Sequence, residues 1–170
     1  MESNIQKDQT LHVQLCSFYL ADRLFGVNII DVREINADIK IAPIHHSLRA
    51  IRGYINLRGQ IHLVVDMATL FGFKSREVTQ ESKIIIFKNS VGEAFGILVD
   101  KVADVTEVEN RLIEDRRKKK KKDGKSSNAK ELRKADSELT VGVCKLEKGL
   151  MVVLDSSAIL RSLENHQINK

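Results

Sequence analysis

The sequence predicts an all-β domain made of two related sub-barrels. Three observations lead to this prediction. Most apolar residues fall in short runs with strand-like alternation, rather than at the spacing of an amphipathic helix. Glycine-centred turns separate these runs, and two internal repeats place similar hairpins in the two halves of the chain. At 170 residues, the chain is long enough to bury one substantial core without a disulfide or a metal ion.

The clearer repeat relates two hairpin segments, 51–66 and 141–155. A shift of 89 residues places Gly53 on Gly142, and the same shift places Asp66 on Asp155. We interpret both aspartates as caps of the turn that follows each strand, since a short carboxylate accepts hydrogen bonds from free backbone N–H groups. The alternative, a pair of carboxylates doing acid–base chemistry, is disfavoured by their equivalent positions in the repeat.

The second repeat relates Phe25-Gly26-Val27 to Phe95-Gly96-Ile97 at a shift of 70 residues. The same shift matches Val32 with Val102 and Ile35 with Val105. Each half therefore contains a hairpin ending in Phe-Gly-aliphatic, followed by a glycine-centred hairpin ending in Asp. The difference between the two shifts is extra chain in the second half.

In chain order, residues 1–10 are predicted to be a disordered tail, and alternating strands begin at Leu11. In the first repeated hairpin, Gly59 is suited to the positive φ of a tight turn, with Arg58 beside it as an exposed cation. Two interpretations of Arg58 stay open: it contacts a partner, or it is a solvated turn residue. Glu34 reads either as the rim of a groove or as a solvated side chain.

Past this hairpin, residues 67–71 are predicted to make one helical turn that ends at Gly72. The branched run 83–88 predicts a strand that returns through residues 93–99. Ser156 is a candidate cap for a short C-terminal helix whose apolar stripe ends at Leu163, which leaves 164–170 as a tail.

A basic segment of about 114–136 is predicted to be a flexible loop, because it has no apolar periodicity. Between Arg111 and Asp136 there are twelve Lys and Arg residues against five Asp and Glu, a local charge of +7, whereas the whole chain carries +5. Such a cluster is compatible with nucleic acid or with another anionic partner. Sequence-specific nucleic-acid recognition is disfavoured, since no aromatic residue interrupts the basic run.

No catalytic motif is present, so the sequence predicts neither an enzyme nor a cofactor. The adjacent pair His45 and His46 is poorly suited to bind one metal ion, because neighbouring side chains on a strand point to opposite faces. His62 is expected at the surface or half buried in a structural role. Cys16 and Cys144 are read as reduced core residues. With no signal sequence and no apolar run of spanning length, cytoplasmic residence and no direct membrane insertion are expected.

These elements resemble the CheW family of bacterial chemotaxis coupling proteins over roughly residues 11–163. The resemblance rests on five segments in a specific order: Phe25-Gly-Val with Val32-Arg-Glu-Ile35, Ile51-Arg-Gly-Tyr-Ile-Asn-Leu-Arg-Gly59, Val64-Val-Asp66, Phe95-Gly-Ile-Leu-Val-Asp-Lys-Val102 and Leu150-Met-Val-Val-Leu-Asp155. The resemblance implies two SH3-like five-stranded β-barrels that share a core. It also implies a non-enzymatic adaptor associated with receptor arrays at the inner membrane.

The partners implied by the resemblance are the regulatory domain of the histidine kinase CheA, the cytoplasmic tips of chemoreceptors, and other CheW copies in rings. By position, the resemblance assigns receptor and array contacts to Arg58, Val32, Glu34 and Val105. It assigns a kinase-interface or interface-supporting role to Gly53 and Ile84. Two other hypotheses stay open at this point: a CheW-like paralogue that serves a non-chemotaxis pathway or modulates arrays, and a basic SH3-like protein that binds RNA.

Overall fold

The computed structural model describes residues 11–74, 76–115, 138–147 and 149–168. Short strands dominate these residues, as the alternating apolar runs predict. The strands are β1 (His12–Leu20), β2 (Arg23–Asn28), β3 (Val32–Asn36), β4 (Ile51–Leu57), β5 (Gln60–Asp66), β6 (Lys83–Phe87), β7 (Phe95–Val99), β8 (Lys101–Glu109), β9 (Ile113–Asp115), β10 (Thr140–Leu146) and β11 (Gly149–Leu154). Two α-helices follow strands β5 and β11: α1 (Met67–Leu70) and α2 (Ser156–Ile168).

The strands form two sheets. Sheet I has the order β8-β1-β2-β11-β10-β9, and sheet II has the order β3-β6-β7-β5-β4. Each sheet contains one parallel pair, β2 with β11 in sheet I and β5 with β7 in sheet II, and its other pairs are antiparallel. The predicted all-β class with two related units is therefore confirmed.

The register of the two parallel pairs reproduces the internal repeats. Val64 lies opposite Gly96 in sheet II, and Val153 lies opposite Gly26 in sheet I. The register of each glycine-centred hairpin also shifts at the equivalent position, just before Gly53 and just before Gly142. Sheet II is contiguous in sequence, whereas sheet I combines the first two strands with the last four. The two sequence halves therefore exchange strands instead of folding as separate units.

A shared core lies between the two sheets and under helix α2. Phe87 stacks on Phe95 with ring centroids 4.7 Å apart, and Phe25 lies 5.1 Å from Phe71. Each sheet also encloses a smaller apolar cluster, around Met151 in sheet I and around Ile84 in sheet II. Burial of each such side chain contributes roughly 1.5–3 kcal/mol, so the shared core ties the two sheets into one unit.

The equivalent aspartates cap the helices that follow their strands, as predicted. The Asp66 carboxylate accepts a hydrogen bond from the Thr69 N–H at 3.0 Å, and the Asp155 carboxylate accepts one from the Ser157 N–H at 3.0 Å. The expected cap at Ser156 is wrong: this residue is the first of the helix, and its buried hydroxyl has no hydrogen-bond partner among the described residues. Asp155 takes the capping position one residue earlier.

Two predicted boundaries also change. Helix α2 continues past Leu163 to Ile168, where the sequence predicted a tail, because the helical hydrogen bonding does not end with the apolar stripe. The basic loop was expected from about residue 114, but Glu114 and Asp115 belong to β9, which pairs with β10. The rest of that segment, together with the predicted tail 1–10, lies outside the described residues.

Candidate partner-binding surface

The tip of the β4–β5 hairpin presents Arg58 to solvent. Arg58 has φ of +51° and Gly59 has φ of +86°, the paired positive values that two-residue hairpin turns favour. The sequence predicted the left-handed conformation at Gly59 but not at Arg58. The Gly59 N–H donates a hydrogen bond to the side-chain oxygen of Asn56 at 2.9 Å. As a result, 81% of the Arg58 side chain is exposed at the end of a defined turn.

Strand β3 meets this hairpin tip from the other end of sheet II. Arg58 Nη2 lies 3.4 Å from Glu34 Oε2, and Arg33 Nη1 donates to Gln60 Oε1 at 2.9 Å. The register of β3 shifts between Val32 and Glu34. This shift allows the consecutive side chains of Arg33 and Glu34 both to reach the tip. An exposed ion pair is worth at most about 1 kcal/mol, so these contacts orient Arg58 more than they stabilise the fold.

Of the four residues assigned to receptor and array contacts, Glu34 and Arg58 lie in direct contact. Val32 is on the same strand as Glu34 and packs against the shared core. Val105 lies on the other sheet, on β8, where it pairs with Cys16 and is 55% exposed. The sequence could not place these residues relative to each other, because the contacts depend on how sheet II curves.

An exposed aliphatic residue on β3 was not among the sequence-based candidates. Ile35 is 45% exposed and lies opposite the buried Ile85, much as Val105 lies opposite the buried Cys16. The shift of 70 residues already related Ile35 to Val105. This repeat is the sequence signal that could have identified Ile35 as a candidate. It places equivalent exposed aliphatic side chains on β3 and β8.

Gly53 and Ile84 are both buried, so neither presents a side chain to a partner. A Cβ atom at Gly53 would meet the carbonyl oxygen of Ala42 at 2.0 Å, and Ile84 belongs to the inner cluster of sheet II. We therefore propose that these two residues support the kinase interface from inside and do not contact a partner directly.

His62 is fully buried, contrary to the surface or half-buried position expected from the sequence. Its side chain shares the inner face of sheet II with Ile55, the residue opposite it on β4. Nδ1 lies 3.1 Å from the Gln60 carbonyl oxygen, while Nε2 has no partner among the described residues. The alternation of Ile61, His62 and Leu63 did predict a strand, but the polar member faces inward.

The described residues offer little that would support catalysis. No group of three or more His, Cys, Asp and Glu side chains within them is placed to hold a metal ion. Cys16 and Cys144 are free and buried, as predicted, and burial raises the pKa of both thiols. No helix in the described ranges is long and apolar enough to cross a membrane.

Comparison with known protein families gives one family match that covers most of the chain. The model described as "CheW-like domain" matches residues 14–164. The chain belongs to the CheW-like family. This is a family of non-enzymatic adaptors, which agrees with the lack of catalytic motifs in the sequence.

Individual CheW proteins show the same relationship. The "Chemotaxis protein CheW" of Rhizobium meliloti is 36% identical over 101 residues, which cover 59% of this chain and 64% of that protein. The CheW of Thermotoga maritima is 30% identical over 106 residues, covering 62% of this chain and 69% of that protein. The matched part of this chain thus spans less than two thirds of the Rhizobium relative.

A solved CheW structure extends the likeness to nearly the whole fold. The scaffolding protein TtCheW from Thermoanaerobacter tengcongensis superposes with a TM-score of 0.69 at 28% identity, covering 85% of this chain and 89% of that protein. The arrangement of two related sheets with a C-terminal helix is therefore that of a CheW scaffold protein.

Proposed function

We propose that this chain is a non-enzymatic adaptor that couples transmembrane chemoreceptors to the histidine kinase CheA in signalling arrays. Membership in the CheW-like family supports this proposal, as do relatives named as chemotaxis proteins and a structural neighbour named as a scaffolding protein. The adaptor acts in the cytoplasm, beneath receptors of the inner membrane.

The feature of the structure that carries the proposal is the Arg58–Glu34 pair at the tip of sheet II. A guanidinium group has five N–H donors, and the contact with Glu34 occupies only part of this capacity. The remaining donors face solvent, ready to bind carboxylate or carbonyl oxygens of a receptor tip. Val32 and Glu34 on the adjoining strand, with Val105 on sheet I, complete the proposed receptor- and array-facing set.

The duplicated architecture supports binding of more than one partner. The residue equivalent to Arg58 in the second hairpin is Glu147, so this one position carries opposite charges in the two hairpins. Opposite charges favour different partners, since electrostatic complementarity selects against the wrong one. In this proposal, the CheA regulatory domain and further CheW-like copies bind at other faces of the two sheets, with Gly53 and Ile84 supporting the interface from inside.

A co-sedimentation experiment tests the proposal. Vesicles containing a chemoreceptor of the same organism are mixed with its CheA, with or without this chain. We expect the chain to carry CheA into the vesicle pellet, and Arg58→Ala to reduce that fraction while leaving the fold unchanged.

Arg161→Ala provides a matched control. Arg161 is also an exposed arginine, with 66% of its side chain accessible, and it lies 3.5 Å from Asp155. Its replacement removes an ion pair of the same kind on helix α2, away from the proposed surface, and should leave recruitment intact. Equal pellets with and without the chain would refute the adaptor function, and equal loss in both variants would refute the specific role of Arg58.

A further inference from the structure

Four side chains brace the hairpin tip that carries Arg58. Asn56 accepts a hydrogen bond from the Gly59 N–H at 2.9 Å, and Arg33 donates to the Gln60 side chain at 2.9 Å. His62 Nδ1 lies 3.1 Å from the Gln60 carbonyl oxygen, which can only accept, so Nδ1 is the donor of this contact. We refer to Arg33, Asn56, Gln60 and His62 as the tip brace.

The second hairpin has the same design as the first but lacks this brace. It has the equivalent register shift before Gly142 and the equivalent aspartate cap at Asp155. The residues of the tip brace, however, are not repeated. The equivalent positions hold Ala103 for Arg33, Lys145 for Asn56, Gly149 for Gln60 and Met151 for His62. A hairpin of this design therefore forms without the brace. The brace must have a role that is specific to the first hairpin.

Two locally unfavourable features indicate that the role of the brace is not to stabilise the fold. Arg58 adopts a left-handed conformation that L residues disfavour. His62 is completely buried and leaves Nε2 without a partner among the described residues, whereas the equivalent Met151 is an apolar residue in an apolar cluster. Unfavourable local features of this kind point to a functional constraint when the surrounding structure holds them in place.

We infer that the tip brace consists of positioning residues that hold Arg58 in the orientation needed to bind a receptor tip. This inference rests on the proposed function and assigns residues that act through Arg58 without touching the partner. A fixed tip has less conformational freedom to lose on binding, so it gives higher affinity for the same contacts. Removal of the brace loosens the turn and lowers affinity without removing the guanidinium group.

Asn56→Ala tests the first step in the free protein. Loss of the acceptor releases the Gly59 N–H, so backbone order parameters at residues 58 and 59 should fall from the rigid range near 0.85 toward about 0.6. Asn56→Asp keeps an acceptor oxygen and should restore rigidity. The matched control is Lys145→Ala at the equivalent position of the second hairpin, which should leave residues 58 and 59 unchanged. Unaltered order parameters in Asn56→Ala would overturn the inference.

Binding of a chemoreceptor cytoplasmic fragment tests the second step. Asn56→Ala should weaken affinity by about three- to tenfold, the range expected for ordering one long side chain on binding. In an Arg58→Ala background, the same substitution should have no further effect. A loss with Arg58→Ala but none with Asn56→Ala would overturn the positioning role alone. No loss with Arg58→Ala would overturn the receptor contact of Arg58 and the positioning role with it.

His62→Met separates positioning from folding, because it gives the first hairpin the residue found in the second. Removal of the unpartnered buried nitrogen should leave the urea midpoint equal or higher, while receptor affinity falls as in Asn56→Ala. A purely structural residue would change both measurements in the same direction. Lower stability together with lower affinity, or unchanged affinity, would contradict the inference.

Discussion

Replacement of Gly53 by alanine tests how closely the chain packs at the repeated register shift. Gly53 has φ of +143°, and a Cβ atom there would lie 2.0 Å from the Ala42 carbonyl oxygen and 2.8 Å from Ile41 Cγ2. That carbonyl accepts a hydrogen bond from the Tyr54 N–H at 2.8 Å, and the Ala42 N–H donates to the Tyr54 carbonyl at 2.7 Å. The added methyl group must therefore displace the backbone segment that closes this side of sheet II.

The expected cost has three parts. The left-handed conformation costs an alanine about 1 kcal/mol. Loss of the two hydrogen bonds adds about 1 kcal/mol each, and displacement of Ile41 from its cluster adds about 1 kcal/mol. The free energy of unfolding should thus fall by roughly 4 kcal/mol, out of the 5–15 kcal/mol typical of a domain. With a urea m-value near 2 kcal/mol/M, the unfolding midpoint should drop by about 2 M.

Gly59→Ala is the matched control for this measurement. Gly59 also has a positive φ, +86°, but no atom lies within 4 Å of a Cβ placed there. It should lose only the conformational part, about 1 kcal/mol. Urea unfolding followed by circular dichroism compares the two variants. Equal losses for Gly53→Ala and Gly59→Ala would refute the argument that the contact with residue 42 is what demands glycine.

Three further predictions concern the buried residues. Ile84→Ala should lower the free energy of unfolding by about 2–5 kcal/mol in the same urea assay, because it leaves a cavity in the inner cluster of sheet II. Gly142→Ala should destabilise through the same kind of backbone clash as Gly53→Ala, since its Cβ would lie 2.5 Å from the Glu114 carbonyl oxygen, but without the conformational part, because Gly142 has no positive φ. A stable variant would argue against the structural equivalence of the hairpins. Burial raises the pKa of the Cys16 and Cys144 thiols, so the unfolded chain ionises first and stability should decline as pH rises above about 8.5. The double variant Cys16→Ala, Cys144→Ala should flatten that decline in urea titrations at several pH values, and an unchanged slope would contradict the assignment.

Much of the fold was predictable because the chain carries its architecture twice. The shifts of 89 and 70 residues in the sequence identify the hairpins, the glycines at the register shifts and the capping aspartates. Local rules suffice for these features, since turn glycines and caps depend on a few neighbouring residues. The exchange of strands between the halves was not predictable in this way, because the β2–β11 pair joins residues separated by most of the chain.

The candidate site was predicted by residue but not by geometry. The sequence indicates Arg58 and Glu34 separately, and their contact arises only because sheet II curves until β3 meets the β4–β5 tip. His62 was misplaced because alternation identifies a strand without saying which face is buried, and the polar residue takes the inner one. Ser156 was misassigned for a similar reason, since two polar residues in succession offered two capping positions.

The most direct test of the adaptor function is receptor-dependent CheA activity measured against the concentration of this chain. An adaptor that bridges two partners should first raise kinase activity and then lower it at excess, when each partner binds a separate copy. Arg58→Ala should shift the rising limb to higher concentration or abolish it, while Arg161→Ala should follow the unmodified chain. Kinase activity independent of the concentration of this chain would contradict the account.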